Sequence, residues 1–178
     1  TRYLISFFYV SYFIWNRHVY KNIHIILYTM KFKLIVAVCK GGGIGKNNTL
    51  PWKIKEDLHY FSKVSKGNGN NAIIMGRKTY ESIGCKGLPG RDNLILTSSS
   101  EYQNIDNLFY FNDISSIEEH CREKNYDDVW VIGGETIYKQ FLDAQLIEMC
   151  SVTFINKYFE FDTFFPKFGN EWLIENHC

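Results

Sequence analysis

The sequence predicts an α/β fold: a single domain with a mostly parallel central sheet flanked by helices. Short apolar runs, typical of strands buried on both faces, alternate along the chain with segments of helical periodicity. The chain has 178 residues, of which 46% are hydrophobic, and this is enough for one substantial core. No internal repeat or linker divides it.

The apolar runs predict five strands and a further short one. The predicted strands are residues 34–38, 72–75, 93–97, 129–132 and 149–155, with the short one within 161–165. A helix is expected where Ile54, Asp57, Leu58 and Phe61 share one face, and others begin at residues 77 and 135. One more helix is expected around residues 115–120, where serines 115 and 116 precede glutamates 118 and 119 by three residues, as in a capping box.

The first residues differ in composition from the rest. Residues 1–29 contain three basic residues and no Asp or Glu, and their longest apolar run is shorter than the roughly 20 residues of a membrane-spanning helix. Met30 directly precedes the first strand pattern. We therefore expect residues 1–29 to be a non-domain extension, such as upstream read-through, and residues 30–178 to form the domain. A membrane anchor or a targeting segment is the alternative.

Charge and cysteine content exclude several classes of protein. The net charge is +1, from 20 basic and 19 acidic residues, which argues against a nucleic-acid-binding surface. The five cysteines are far apart and form no C-x-x-C pair, and the histidines show no ligand spacing. We expect neither a metal site nor a disulfide framework, and we expect reduced thiols in the cytoplasm.

Asp57 is the most informative residue of the sequence. It lies on the apolar face of its predicted helix, whereas Glu56 fits the ordinary place of an acid in a first helical turn. A buried carboxyl is costly and has a raised pKa, which suits a proton donor near neutral pH. The pattern favours a functional acid at this position.

A glycine-rich stretch follows the first predicted strand. Residues 41–49 match neither the P-loop, since Lys40 and Asn47 occupy its ends, nor the dinucleotide fingerprint G-x-G-x-x-G. A plain flexible loop and a mobile lid over a site, with Trp52 as an apolar cover, both remain open.

Two strand-to-helix junctions have the composition of anion sites. Gly76 and Arg77 begin one helix, and Gly133 and Gly134 precede another. Together with Ser98 at a third strand end, they suggest a ligand with several phosphates. Arg91, in a turn, is either a solvated residue or an anchor for a carboxylate.

These pieces occur in a fixed order that resembles one family. The series is Ile-Val-Ala-Val, Gly-Ile-Gly-Lys, Leu-Pro-Trp, an acid five residues later, Met-Gly-Arg-Lys-Thr, Leu-Pro-Gly-Arg, Ile-Gly-Gly, Ile-Tyr, Val-Thr and Asp-Thr-Phe-Phe-Pro. It closely resembles the dihydrofolate reductases over residues 32–166. The resemblance implies reduction of 7,8-dihydrofolate to tetrahydrofolate, with a hydride from NADPH to C6 and a proton to N5, in support of one-carbon metabolism.

The resemblance also implies roles for individual residues. Asp57 would be the pocket acid, with Trp52, Thr153 and Leu50 completing the catalytic set. The folate slot would be lined by Ile35, Val36, Asp57, Leu58, Phe61, Ile83, Leu88, Ile132 and Thr153, with Arg91 pairing with the glutamate carboxylate. NADPH would contact Ala37, Ile44, Gly45, Lys46, Asn48, Thr49, Gly76, Arg77, Lys78, Thr79, Thr97, Ser98, Ser99, Ile132, Gly133, Gly134, Glu135, Thr136, Ile137 and Tyr138. Arg77 and Ser98 would receive the 2′-phosphate.

The chain departs from the family pattern at three places, the first of which is the length of the loop at residues 84–87. Glu135 stands where the family often has glycine, and a carboxylate beside a pyrophosphate is unfavourable unless it points away. The family usually continues beyond the position of Cys178 with a strand pair, so we expect a C-terminally truncated domain that lacks the final antiparallel strand.

Three alternatives stay open. The first is that the chain is the reductase part of a reductase–thymidylate synthase fusion. The second is a fragment that binds folate or nucleotide without turnover. The third is a reductase of riboflavin synthesis, which the Leu-Pro-Trp motif and the acid after it disfavour. We expect a cytoplasmic monomer, unless it is fused to or assembled with thymidylate synthase, with no nucleic-acid or membrane partner.

Overall fold

A computed structural model of the protein describes residues 9–16, 30–170 and 172–176. Ten strands and four helices occur in these parts of the chain. The strands are β1 (Tyr9–Asn16), β2 (Phe32–Cys39), β3 (Gly43–Gly45), β4 (Ala72–Gly76), β5 (Asp92–Leu96), β6 (Leu108–Phe111), β7 (Val129–Gly133), β8 (Ile147–Ile155), β9 (Thr163–Phe164) and β10 (Trp172–Asn176). The helices are α1 (Lys55–Lys66), α2 (Arg77–Ser82), α3 (Ile114–Lys124) and α4 (Glu135–Asp143).

The main sheet has eight strands in the order β10-β1-β8-β2-β7-β4-β5-β6. The six strands from β8 to β6 are parallel to one another, while β1 is antiparallel to both β8 and β10. Strands β3 and β9 form a separate two-stranded sheet. The predicted α/β class with a mostly parallel sheet is confirmed.

Helices cover both faces of this sheet, which explains why the strands are continuously apolar. One face packs on Ile117 of α3 and on Phe141 of α4, both fully buried. The opposite face packs on Tyr80 of α2 and on part of α1. Within β4, Ile73 and Ile74 face opposite sides and both are fully buried. Alternate residues of one strand therefore contribute to two cores.

Two local predictions differ from the structure. Helix α3 is capped by Asp113, whose side chain accepts a hydrogen bond from the backbone N–H of Ser116 at 2.7 Å, so the predicted capping boxes at Ser115 and Ser116 are wrong. Strand β6 was not predicted. It lies at the sheet edge with half-buried residues only, so its sequence lacks the continuous apolar signal of the inner strands.

Strand β1 lies within the stretch that we expected to stand outside the domain. Its backbone pairs with β8 over seven Cα partners, from Tyr9 opposite Ile155 to Trp15 opposite Met149, and it pairs with β10 on its other side. Residues 1–8 and 17–29 lie outside the described residues. Residues 9–16 therefore join the sheet by their backbone pairing, while the domain boundary at Met30 stays a prediction.

Removal of residues 1–29 tests whether the segment that contains β1 is part of the folded domain. We expect a chain that begins at Met30 to lose several kcal/mol of unfolding free energy, because both β8 and β10 lose a hydrogen-bonded neighbour. Urea denaturation followed by circular dichroism measures this difference. Equal stability of the two chains would instead support residues 30–178 as the complete folding unit.

None of the helices in the described parts of the chain is long and apolar enough to cross a membrane.

Candidate functional site

A cleft of about 660 Å³ opens at the carboxyl ends of the parallel strands, the usual place for a site in such a sheet. Its walls come from β2, the loop that follows β2, α1, the junctions that follow β4, β5 and β7, and the middle of β8. The lining residues are Ile35, Val36, Ala37, Ile44, Gly45, Asn48, Thr49, Leu50, Asp57, Leu58, Tyr60, Phe61, Gly76, Arg77, Lys78, Thr79, Ser82, Ile83, Leu88, Leu96, Thr97, Ser98, Ile132, Gly134, Glu135, Thr136, Ile137, Tyr138, Thr153 and Thr163.

Asp57 is the buried carboxyl of this cleft. It lies in the first turn of α1 and is only 7% exposed. The hydroxyl of Thr153, which projects from β8, donates a hydrogen bond to it. Burial raises the pKa of Asp57, and the contacts with Thr153 and Trp52 lower it by less. The site therefore holds one carboxyl that is protonated more easily than an ordinary aspartate.

Trp52 lies behind the cleft and does not line it. The indole is 5% exposed and packs on Phe159, with ring centroids 5.5 Å apart, next to Cys39 and Ile155. Its buried N–H has no acceptor at hydrogen-bonding geometry among the described residues, although it is close enough to Asp57 to lower the pKa of that carboxyl. The expected apolar cover is thus a fixed part of the core, and Leu50, half exposed, lies at the cleft instead.

The glycine-rich stretch forms a fastened loop at the cleft, which we call the lid (residues 41–49). Strand β3 within it pairs with β9, and the backbone N–H of Asn47 donates to the carboxylate of Asp162 at 2.8 Å. A Cβ at Gly43 would lie 2.2 Å from the ring of Phe161, so this position requires glycine for close packing. Part of this stretch lines the cleft, as expected of a lid, while these hydrogen bonds hold it in place.

The junction between β7 and α4 brings the backbone to the cleft wall. Gly133 has φ +107°, and a Cβ there would lie 2.8 Å from the ring of Tyr138. Tyr138 is itself fixed, since its buried hydroxyl donates to the carbonyl of Ile35 at 2.9 Å. The peptide between Gly133 and Gly134 is cis. Gly133 therefore packs closely on Tyr138, while Gly134 lines the cleft beside the first turn of α4.

The basic end of the cleft is formed by the start of α2 and the end of β5. Arg77 makes an ion pair with Glu81 one turn later, with Nη1 and Oε1 2.6 Å apart and both side chains partly exposed. Lys78, Thr79 and Ser98 line the same region. These cationic and hydroxyl groups are suitable donors for a phosphate.

Arg91 is buried beside the cleft. It is 5% exposed, its Nε and Nη2 donate to the carbonyl of Pro89 at 3.3 and 3.2 Å, and its Nη1 donates to the hydroxyl of Ser65. The guanidinium lies 6.0 Å from the ring centroid of Phe61. Burial lowers the pKa of Arg91, yet a guanidinium stays charged at neutral pH. No carboxylate of the described residues pairs with it.

Most of the predicted site residues meet at this cleft. The exceptions are Trp52, Arg91, Lys46, Ser99 and Gly133, which lie outside its lining. Sequence reasoning missed four lining residues, namely Tyr60, Ser82, Leu96 and Thr163. Tyr60 had a signal, because it follows Asp57 by three residues on α1, and its hydroxyl lies 2.9 Å from that of Ser151.

In the described part of the chain, no cluster of three or more His, Cys, Asp or Glu side chains could hold a metal ion. Four of the cysteines, at positions 39, 85, 121 and 150, are free thiols.

Comparison with known proteins places this arrangement in a family. A model of the dihydrofolate reductase family matches residues 31–178. The dihydrofolate reductase of Staphylococcus haemolyticus is 41% identical over 137 residues, which cover 77% of each chain. The chain belongs to the dihydrofolate reductase family. The predicted resemblance is therefore confirmed.

Two further relatives bear on the fold and on assembly. A structure of the dihydrofolate reductase from Enterococcus faecalis, complexed with NADP(H) and RAB-propyl, has a TM-score of 0.66 and 33% identity, and the match covers 77% of each chain. The bifunctional dihydrofolate reductase-thymidylate synthase of Daucus carota is 35% identical over 147 residues, which are 28% of that protein. The same family thus occurs alone and within a larger chain.

Proposed function

We propose that this chain reduces 7,8-dihydrofolate to 5,6,7,8-tetrahydrofolate with NADPH. The observation that carries the proposal is Asp57, a buried carboxyl with a raised pKa that accepts a hydrogen bond from Thr153 and lines a cleft of about 660 Å³. The dihydrofolate reductase relatives support the substrate and the cofactor.

Asp57 would bind the amidine edge of the pterin ring and promote protonation at N5. Its carboxyl accepts a hydrogen bond from Thr153, which would orient it for the pterin. The unpartnered indole N–H of Trp52 lies close to this carboxyl, so a water bound between them would satisfy both groups and carry the proton. Leu50, at the cleft edge, would help to exclude bulk solvent.

The apolar walls would hold the rest of the substrate. Ile35, Leu58 and Phe61 line the cleft, and Leu58 and Phe61 follow Asp57 on α1. Val36, Ile83, Leu88 and Ile132 extend this surface. Arg91 lies behind Phe61 with no carboxylate partner among the described residues, so it would pair with the glutamate carboxylate of folate.

The remaining part of the cleft fits NADPH. Gly134 and the fixed ring of Tyr138 both line this wall of the cleft, which would hold the nicotinamide and the pyrophosphate. When bound there, NADPH would supply the hydride that reduces C6 of the pterin. The other residues proposed for its binding are Ala37, Ile44, Gly45, Asn48, Thr49, Gly76, Arg77, Lys78, Thr79, Thr97, Ser98, Glu135, Thr136 and Ile137, which line the cleft, and Lys46 and Ser99, which lie outside its lining.

The decisive experiment is the turnover of the purified chain. We expect loss of NADPH absorbance only when dihydrofolate is present, with tetrahydrofolate recovered as the product. Binding of both ligands without turnover would overturn this function and favour the fragment without activity. We also propose that the chain is a monomer, which the gel-filtration size of the same sample tests. The four free thiols favour a reducing compartment such as the cytoplasm.

Cofactor choice gives a second test at the basic end of the cleft. We expect Arg77→Gln to raise the KM for NADPH roughly tenfold or more, with little change in the KM for NADH, because only NADPH carries the 2′-phosphate. Glu81→Gln is the matched control: it releases Arg77 from its ion pair and should leave NADPH binding unchanged or stronger. Equal losses with both cofactors in Arg77→Gln would contradict a 2′-phosphate site.

A further inference from the structure

The side chain of Glu135 connects two parts of the chain that are far apart in sequence. Glu135 is the first residue of α4, and its Oε2 accepts a hydrogen bond from the backbone N–H of Phe164 in β9 at 3.0 Å. The carboxylate is therefore directed towards β9. A charged acceptor on a backbone N–H forms one of the stronger kinds of hydrogen bond.

Strand β9 is in turn the partner of the lid. Gly43 pairs with Phe164, and Gly45 pairs with Thr163. Just outside this short sheet, the N–H of Phe165 donates to the carbonyl of Gly42 at 2.9 Å. Whatever holds β9 therefore also holds the lid strand β3.

The two ends of this connection both lie at the part of the cleft assigned to the cofactor. On the lid side, Ile44 and Gly45 line the cleft. On the helix side, Gly134, Thr136 and Ile137 line it. Glu135 joins these two walls through β9.

We propose that Glu135 is a positioning residue that fastens the lid against the start of α4 and so shapes the NADPH site. The proposal rests on the function proposed above. The carboxylate does not touch the reacting atoms; it fixes β9, and β9 fixes Ile44 and Gly45 at the cofactor. In this arrangement the negative charge that departs from the family pattern contributes to cofactor binding.

The simpler electrostatic expectation has the opposite sign. If the carboxylate of Glu135 acted on a pyrophosphate only through its charge, its removal would strengthen NADPH binding. If it fastens the lid, its removal weakens binding, because the lid must then be ordered when the cofactor binds. The direction of the change separates the two.

The experiment compares Glu135→Ala and Glu135→Gln in the full chain, with Glu119→Ala, an exposed glutamate of α3, as the control. NADPH affinity is measured by fluorescence titration, and hydrogen exchange is measured by mass spectrometry without any ligand. We expect Glu135→Ala to weaken NADPH binding about three- to tenfold and to accelerate exchange at residues 41–49 and 161–165. Glu135→Gln, which keeps an acceptor oxygen, should lie between Ala and the unmodified chain, and Glu119→Ala should match the latter.

Two results would overturn the proposal: NADPH binding in Glu135→Ala that is unchanged or tighter, or exchange in both segments that is unchanged. Since hydrogen exchange needs no turnover, it reports on the fastening even if the chain fails to reduce dihydrofolate. Absence of reduction in the unmodified chain would instead count against the proposed function alone.

Discussion

Asp57→Asn should lower kcat for dihydrofolate reduction by roughly 10²- to 10⁴-fold near neutral pH, the usual contribution of a general acid. The change keeps the size of the side chain and its hydrogen bond to Thr153, so the cleft should keep its shape. NADPH affinity should be unchanged, because Asp57 is not among the residues proposed to bind the cofactor. Stopped-flow measurement of the hydride step, with NADPH titration beside it, tests both statements.

The pH dependence provides an independent check. Burial raises the pKa of Asp57 above that of an ordinary aspartate, so its protonated, proton-donating form persists to higher pH. Activity should therefore be flat at low pH and should fall as pH rises through the raised pKa. In Asp57→Asn the proton must come from solvent, so the remaining activity should keep increasing towards acid pH.

Two further variants separate this role from a general loss of structure. Thr153→Val removes a contact that lowers the pKa of Asp57, so the fall in activity should move to higher pH. Glu56→Gln changes an exposed acid in the same turn of α1 and should leave both rate and profile intact. Full activity in Asp57→Asn, or a profile in that variant identical to that of the unmodified chain, would remove Asp57 from the mechanism.

The inner parallel strands could be predicted because both of their faces are buried. Such strands need continuous apolar runs, as in β4, and those runs are visible in the sequence. Strands at the margins carry no such signal. Strand β6 is half-buried, and β3 has three residues, two of them glycine. Strand β1 is defined by the backbone partners it finds in β8 and β10, which are distant in sequence.

The same distinction applies within the site. Asp57 could be found because a charged side chain on the apolar face of a helix is unusual, and the spacing that reveals it is a local signal. The cap of α3 had a local signal as well, but Asp113 lies outside the serine motif that we used. The hydrogen bond between Glu135 and Phe164 spans 29 residues and could not be found from spacing. Sequence alone therefore indicated which groups are chemically unusual, while their long-range partners required the fold.

Arg91→Leu should raise the KM for dihydrofolate roughly 10- to 100-fold, the effect of losing about 1.5 to 3 kcal/mol from a hydrogen-bonded ion pair. The value of kcat should change little, because a carboxylate at the far end of the substrate is not part of the hydride transfer. The buried guanidinium has no carboxylate partner among the described residues, and a substrate carboxylate would supply one. Steady-state kinetics over a range of dihydrofolate concentrations measures the effect.

Dihydropteroate, which has the pterin ring but no glutamate, makes this test specific. The unmodified chain should bind dihydropteroate more weakly than dihydrofolate, and Arg91→Leu should bind the two alike. Arg91 also contacts Ser65 and Pro89, so Ser65→Ala serves to measure how much of any change comes from disturbed packing. If Arg91→Leu weakened both substrates by the same factor, Arg91 would be a structural residue of the turn that precedes β5. If only dihydrofolate is affected, the guanidinium is the group that recognises the glutamate end of the substrate.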